Sequence, residues 1–190
     1  MRPLPNAGWG ASAAAELGRF SAVLAGPGLV GASELGPVLA TALPLVLDAS
    51  ALHRDLVAGI RDRPGPTVVT PHDGEFARLG GSGDPDRIAA TRDLARDLDA
   101  IVLRKGPTTV VAAPSGAVRV VANGGPALAT AGSGDVLGGV IAALVARGAA
   151  PFDAAAAGAW LHAEAGRERA GLIASDLPAA ITDIAADLGV

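Results

Sequence analysis

The stretch PLVLDASALHRDLVAGIRDRPGPTVVTPH (residues 44–72) decides the fold. Its ends, PLVLDAS (44–50) and PTVVTPH (66–72), are apolar runs too short for helices and without clean alternation, the pattern of strands buried on both faces. Between them ASALHRDLVAGI (49–60) carries helical spacing. Strand, helix and strand in one such span form a β-α-β unit, which predicts parallel strands under a helical cover. Toward the N-terminus SAVLAGP (21–27) reads as another strand and ASELGPVLATAL (32–43) as another crossover. Toward the C-terminus PDRIAATRDLARDL (85–98) is amphipathic, with Ile88, Leu94, Ala95 and Leu98 on one side, and AIVLRKG (100–106) is a fourth strand. TTVVAAPSGAVRVVA (108–122) alternates around Pro114-Ser115-Gly116, a hairpin signal, and the chain beyond Gly134 reads as helices. The expectation is one α/β domain over residues 1–190, a mostly parallel, helix-covered sheet with one antiparallel ribbon. Ligands of such sheets sit beyond the carboxyl ends of the strands, which here carry AGPG, LDAS, TPHDGE and RKG.

Composition narrows the function. Half of the 190 residues are apolar but only 3% are aromatic, so the core must be built from Ala, Val, Leu and Ile. A formal net charge of -4 without a Lys/Arg run excludes a nucleic-acid surface. The lack of cysteine excludes disulfides, thiol nucleophiles and Cys-type zinc sites together. Uncharged stretches are too short, or too broken by Gly and Pro, to span a membrane, and the opening MRPLPNAGWG has no apolar signal core. A cytoplasmic protein with neither nucleic-acid nor membrane partner is expected.

The tetrapeptide GSGD occurs twice, in LGGSGDPDRI (79–88) and in ALATAGSGDVLGG (127–139). In the first, Asp84 with Pro85 after it reads as an N-cap followed by proline at the first helical position, and the turn as a connector. The second opens VLGGVIAALVA (136–146), apolar nearly all round and therefore expected to be buried. Gly138 and Gly139 weaken that helix unless it must lie close against the sheet. Gly132, Ser133 and Gly134 would aim N–H groups from the positive helix end at an anion. The residues alone leave Asp135 open between a helix cap and a proton acceptor.

Lys105 is the only lysine among 15 basic residues and lies in RKGPTTVV (104–111). Its ammonium and the hydroxyls of Thr108 and Thr109 suit nucleotide phosphates or ribose, against the alternative of a solvated turn. His72, beside Asp73 and Glu75, is a ligand contact or a turn histidine. Gly26-Pro27-Gly28 brings backbone against a flat ligand or only makes a turn. One histidine among scattered carboxylates gives no protein metal set, and no serine lies in a nucleophile elbow.

Taken in order, AGPGLV (25–30), LDASAL (47–52), TPHDGEF (70–76), RKGPTTVV (104–111) and NGGPALATAGSGDVLGG (123–139) resemble the ADP/ATP-dependent NAD(P)H-hydrate dehydratases of the ribokinase-like superfamily. The resemblance runs from about Phe20 to about Gly166. It implies a ribokinase-like three-layer α/β/α fold and repair of NADH or NADPH whose nicotinamide ring has taken up water. In that chemistry a nucleotide phosphorylates the ring hydroxyl, and loss of phosphate with a ring proton restores the dihydronicotinamide. The resemblance implies that Gly28, His72 and Asp135 contact the hydrated cofactor. It sets Lys105, Gly106, Pro107, Thr108, Thr109 and Gly134 around ADP or ATP, with ADP favoured, and Mg2+ bridging the phosphates. Asp135 would be the base, and the turn Gly132-Ser133-Gly134 would stabilise the transferring group. The alternatives are a small-molecule kinase of the same fold or an inactive nucleotide-binding fragment. Ser50 stands where the family usually has a second aspartate, although Asp48 remains. The family's domain begins well before the residue matching Met1. A chain lacking that N-terminal portion is expected, when made alone, to be a homo-oligomer or poorly soluble and to turn over little hydrate, with nucleotide affinity better kept.

Overall fold

A computed structural model describes residue 5, residues 7–167 and residues 169–189. Most of the opening MRPLP, read above as lacking a signal core, therefore lies outside the described residues. In chain order the elements are α1 (Trp9–Glu16), β1 (Val23–Ala25), α2 (Gly36–Leu39), β2 (Leu45–Leu47), α3 (Val57–Arg61), β3 (Thr67–Val69), α4 (Asp73–Arg78), α5 (Arg87–Leu98), β4 (Ile101–Arg104), β5 (Thr109–Ala112), β6 (Val118–Val121), α6 (Ser133–Ala146), α7 (Pro151–Ala165) and α8 (Leu177–Asp187). The strands lie in sequence order. β1 to β4 are parallel, and β5 and β6 add the expected antiparallel ribbon. Each strand is only three or four residues long, because the rest of each apolar run forms the loop at its carboxyl end.

Period-two side-chain alternation divides the core. Leu45, Leu47, Val69, Val102 and Ala112 face one way and pack with Val38, Ile60, Phe76, Leu94 and Leu98 of α2 to α5. Val46, Val68, Ile101, Leu103 and Val111 face the other way, against Leu137, Ile141 and Val145 of α6 and Ala155 and Ala159 of α7. Helices thus cover both faces in three layers, and each buried aliphatic side chain contributes roughly 1.5–3 kcal/mol. Leu161 and Ala165 of α7 form a further cluster with Leu177, Ala180 and Ile181 of α8. Among the described residues, no helix is long and apolar enough to cross a membrane.

Four local expectations need correction. The 32–43 and 49–60 crossovers are not full helices: each begins in 3-10 turns and ends in a short helix, α2 opening at Gly36-Pro37 and stopping before Pro44, and α3 covering only Val57–Arg61. The alanine-rich α1, with Trp9 buried, had no counterpart in the sequence reading. Asp84 does not cap α5. Its Oδ1 accepts the Asp86 N–H at 2.8 Å, and Asp86 is the cap, accepting the N–H groups of Ile88 and Ala89 at 3.0 Å each. Helix α6 is buried on one side rather than all round, with Gly139, Ala143 and Ala146 exposed. Its outward residues are small enough to be exposed at little cost. Gly138 lets α6 lie close to the sheet, since a Cβ there would press on Leu24 Cδ1 of β1 at 3.0 Å, whereas one on Gly139 would meet nothing within 4 Å.

Candidate active site

Four strand ends and two helix starts converge. At the end of β1, Gly26 has φ +128°, and a side chain there would collide with the Asp48 carbonyl. Only glycine lets the ends of β1 and β2 approach so closely. Gly28 (φ +67°) is exposed and needs glycine for its backbone alone, since a Cβ would meet nothing.

Asp48 follows β2 and is 2% exposed; Glu75, in the first turn of α4, is 6% exposed. Both face Lys105, which follows β4: its Nζ lies 2.7 Å from Asp48 Oδ1 and 3.8 Å from Glu75 Oε2. A buried carboxylate needs such a partner. The Lys105 N–H donates to Pro71 O at 2.8 Å, which extends the β3–β4 pairing into the site. Lys105 is therefore not a solvated turn lysine.

His72 caps α4. Its Nδ1 accepts the N–H groups of Gly74 (3.0 Å) and Glu75 (3.3 Å), and its own N–H donates to Glu75 Oε2 at 2.8 Å. The ring remains half-exposed on the cavity wall. Asp73 accepts from Arg104 Nε (2.8 Å) and Arg87 (2.7 Å). Partial burial opposes its ionisation, but the two arginine hydrogen bonds outweigh it and hold the carboxyl below its usual range.

The second GSGD turn closes the site. Gly132 is the left-handed residue (φ +85°) ahead of α6. At Gly134 a Cβ would lie 3.4 Å from both Asp48 Oδ2 and Lys105 Nζ, so the turn rests on that ion pair. The Ser133 N–H is already given to Thr130 O at 3.3 Å. Among the described residues, the amides of Gly134 and Asp135 meet no acceptor. Of the three amides singled out in the sequence, Ser133 is committed to Thr130, while Gly132 and Gly134 have no acceptor among the described residues.

A cavity of about 630 Å³ lies beside this turn. Lys105, Gly106, Pro107 and Thr109 form one wall, and Ser133 and Gly134 another; Val121, Leu128, Leu137 and Ala159 make an apolar end. This volume and lining suit a small organic ligand. Thr108 is not in the lining; its carbonyl accepts from Arg87 Nε. Gly28 and Asp135 are also outside it. Asp135 is exposed and, three residues before Gly138, shares the helix face that rests on β1, the side of Gly26 to Gly28. The turn thus lies between a half-open chamber and an exposed face.

His162 of α7 is a titratable chamber residue that sequence reasoning missed. Its Nε2 lies 2.9 Å from Ser133 O and 3.3 Å from Ser133 Oγ, and that hydroxyl donates to Leu128 O at 2.8 Å. Nε2 carries the proton, since a carbonyl accepts from it. Burial lowers the His162 pKa, nearby Lys105 lowers it further, and the bond to Ser133 O opposes them. A histidine depressed below its ordinary 6.5 contributes stability that is complete above that pH and lost as pH falls. The denaturation midpoint should therefore drop between about pH 7 and pH 5, and His162→Gln should remove part of that slope. Identical slopes in both proteins would exclude His162 as the group. Its only sequence signal is a polar ring in an alanine-rich helix. Asp48 had a better one, a carboxylate ending an all-apolar strand.

A family model described as NAD(P)H-hydrate dehydratase matches residues 3–185. The chain is 50% identical over 153 residues to the bifunctional NAD(P)H-hydrate repair enzyme Nnr of Mycobacterium tuberculosis, an alignment covering 75% of this chain and 32% of that protein. It is 42% identical to the ADP-dependent (S)-NAD(P)H-hydrate dehydratase of Neisseria meningitidis, covering 75% of this chain and 52% of the relative. The chain thus spans about a third to a half of the length of these curated relatives. Among solved structures, the ADP/ATP-dependent NAD(P)H-hydrate dehydratase of Bacillus subtilis, co-crystallised with ATP/Mg2+, superposes with a TM-score of 0.78 at 28% identity, covering 92% of this chain and 68% of the other.

Proposed function

Since the chain belongs to the NAD(P)H-hydrate dehydratase family, we propose that it carries out nucleotide-dependent dehydration of hydrated NADH or NADPH. The observation that carries this reading is the second GSGD turn, which packs at Gly134 against Lys105 and Asp48 beside the chamber and leaves the Gly134 and Asp135 amides without an acceptor among the described residues. Phosphoryl transfer asks for that: two reactants on either side of a group that stabilises charge, with little covalent chemistry.

In this proposal the nucleotide occupies the chamber. Lys105, Gly106, Pro107 and Thr109 flank it, Thr108 contributes through the backbone of its loop, and Gly134 faces the phosphates. The hydrated nicotinamide lies on the open face near Gly28 and Asp135, and reaches His72 at the rim of the chamber wall. Asp135 takes the ring hydroxyl proton as that oxygen attacks the terminal phosphoryl group of ADP, releasing AMP. The carbon–oxygen bond then breaks, phosphate leaves, and a proton lost from the neighbouring ring carbon restores the double bond. The amides of the turn stabilise the transferring oxygens.

Mg2+ would be held by the nucleotide phosphates and water rather than by a protein ligand set: among the described residues no three potential ligands cluster, and Asp48 and Glu75 are engaged by Lys105. Bound so, it would neutralise phosphate charge. ADP is the proposed co-substrate, as the name of the Neisseria relative states for that protein. The cytoplasm is the proposed location and a homo-oligomer the proposed assembly.

The test compares three substrates. The protein is given ADP, Mg2+ and, separately, hydrated NADH, hydroxymethylpyrimidine and ribose. Return of dihydronicotinamide absorbance with AMP formation is expected only with the hydrate. Phosphorylation of either of the others at a comparable rate would favour a small-molecule kinase.

A further inference from the structure

We propose that Arg87, delivered by the first GSGD turn, is a positioning residue that sets the shape of the 104–109 loop for nucleotide binding. The proposal rests on the reading of that loop as the seat of the nucleotide.

Arg87 is the first residue of α5, fixed there by the Asp86 cap. Its guanidinium, 24% exposed, reaches back across the sheet end and uses every nitrogen. Nε donates to Thr108 O at 3.2 Å, and one terminal nitrogen to Lys105 O at 2.6 Å and Arg104 O at 3.4 Å. The other donates to Asp73 Oδ1 at 2.7 Å. Three carbonyls of one loop are thereby held by one rigid fork, which a single ammonium cannot reproduce. Asp73 also accepts from Arg104, whose guanidinium lies 4.0 Å over the Phe76 ring, so the clamp is itself braced.

Gly106 is where the clamp meets the loop. A Cβ there would stand 2.5 Å from Arg87 Nη2. Gly106 has ordinary negative φ, so what the residue provides is space for the guanidinium. Of the three residues whose carbonyls Arg87 ties down, Lys105 lines the chamber, while Arg104 and Thr108 flank the stretch Lys105-Gly106-Pro107 that forms its wall. Arg87 lies outside the chamber lining and acts through the loop.

The test is calorimetric titration of the protein with ADP and Mg2+, alongside the KM for hydrated NADH. We expect Arg87→Ala to weaken ADP binding by about 10- to 100-fold, with the KM for hydrate little changed. Arg87→Lys should not rescue it. Gly106→Ala should produce a similar loss, and Arg87→Ala/Gly106→Ala should be no worse than either single variant, because both remove the same contact. Denaturation midpoints identify any variant that is not folded at the titration temperature, and Gly106→Ala then carries the test. Wild-type affinity in folded Arg87→Ala, full rescue by lysine, or additive losses in the double variant would each overturn the proposal. Failure of the unsubstituted protein to bind ADP would instead overturn the nucleotide reading and the proposal with it.

Discussion

Asp135→Asn is expected to lower turnover of hydrated NADH or NADPH by about 10²–10⁴-fold, the loss typical of a missing general base. The side chain is exposed and, among the described residues, makes no ion pair or hydrogen bond that asparagine would break. It lies in the first turn of α6, on the exposed side of the turn, where a substrate hydroxyl can reach it. Asparagine keeps the shape, so ADP affinity and denaturation midpoint should change little. The matched control is Asp84→Asn in the other GSGD turn. Asp84 only accepts the Asp86 N–H, which an asparagine oxygen accepts as well, so activity should be unaffected. Equal losses at the two positions would remove Asp135 from its assigned role.

Lys105→Met should act twice. Loss of a charged donor to phosphate is expected to weaken ADP binding by about 1.5–3 kcal/mol, or roughly 10- to 150-fold. It also leaves Asp48, whose side chain is 3% exposed, without its cation. Breaking a buried pair costs about 3–5 kcal/mol, and the 23% exposure of Lys105 puts this one near the lower end. The two effects separate in Lys105→Met/Asp48→Asn, in which the orphaned charge is gone. Denaturation should show stability largely recovered, while calorimetry shows ADP affinity still low. Recovery of both together would mean that Lys105 serves only Asp48.

Much of this arrangement was legible because it depends on local patterns. Short apolar runs marked β1 to β4, Pro114-Ser115-Gly116 marked the ribbon, and a glycine turn opening an apolar segment marked α6. What failed was decided by tertiary contacts or by competition between adjacent residues. Asp84 and Asp86 are both good caps, and the structure uses the second because the first is occupied in its own turn. Gly138 and Gly139 look alike in sequence, yet only one faces Leu24. His72 reads as a turn or contact residue because its capping depends on a ring nitrogen reaching two amides. The clusters around Lys105 and His162 join residues far apart in the chain, and no spacing rule brings Asp48 to Lys105 or His162 to Ser133. The clearest case is the first GSGD turn, which resembles a plain connector until Arg87 is followed across the sheet end to Lys105 O.

The most direct test of the account is a single-turnover experiment with the protein as its own gene encodes it, in excess over hydrated NADH, with ADP and Mg2+ present. The account predicts that dihydronicotinamide absorbance returns only when nucleotide is added. One AMP and one phosphate should form per ring restored, and the Asp135→Asn protein should lag by about 10²-fold or more. Hydrate that persists while ADP is bound, or an Asp135→Asn protein that repairs it as fast as the unsubstituted one, would contradict the account.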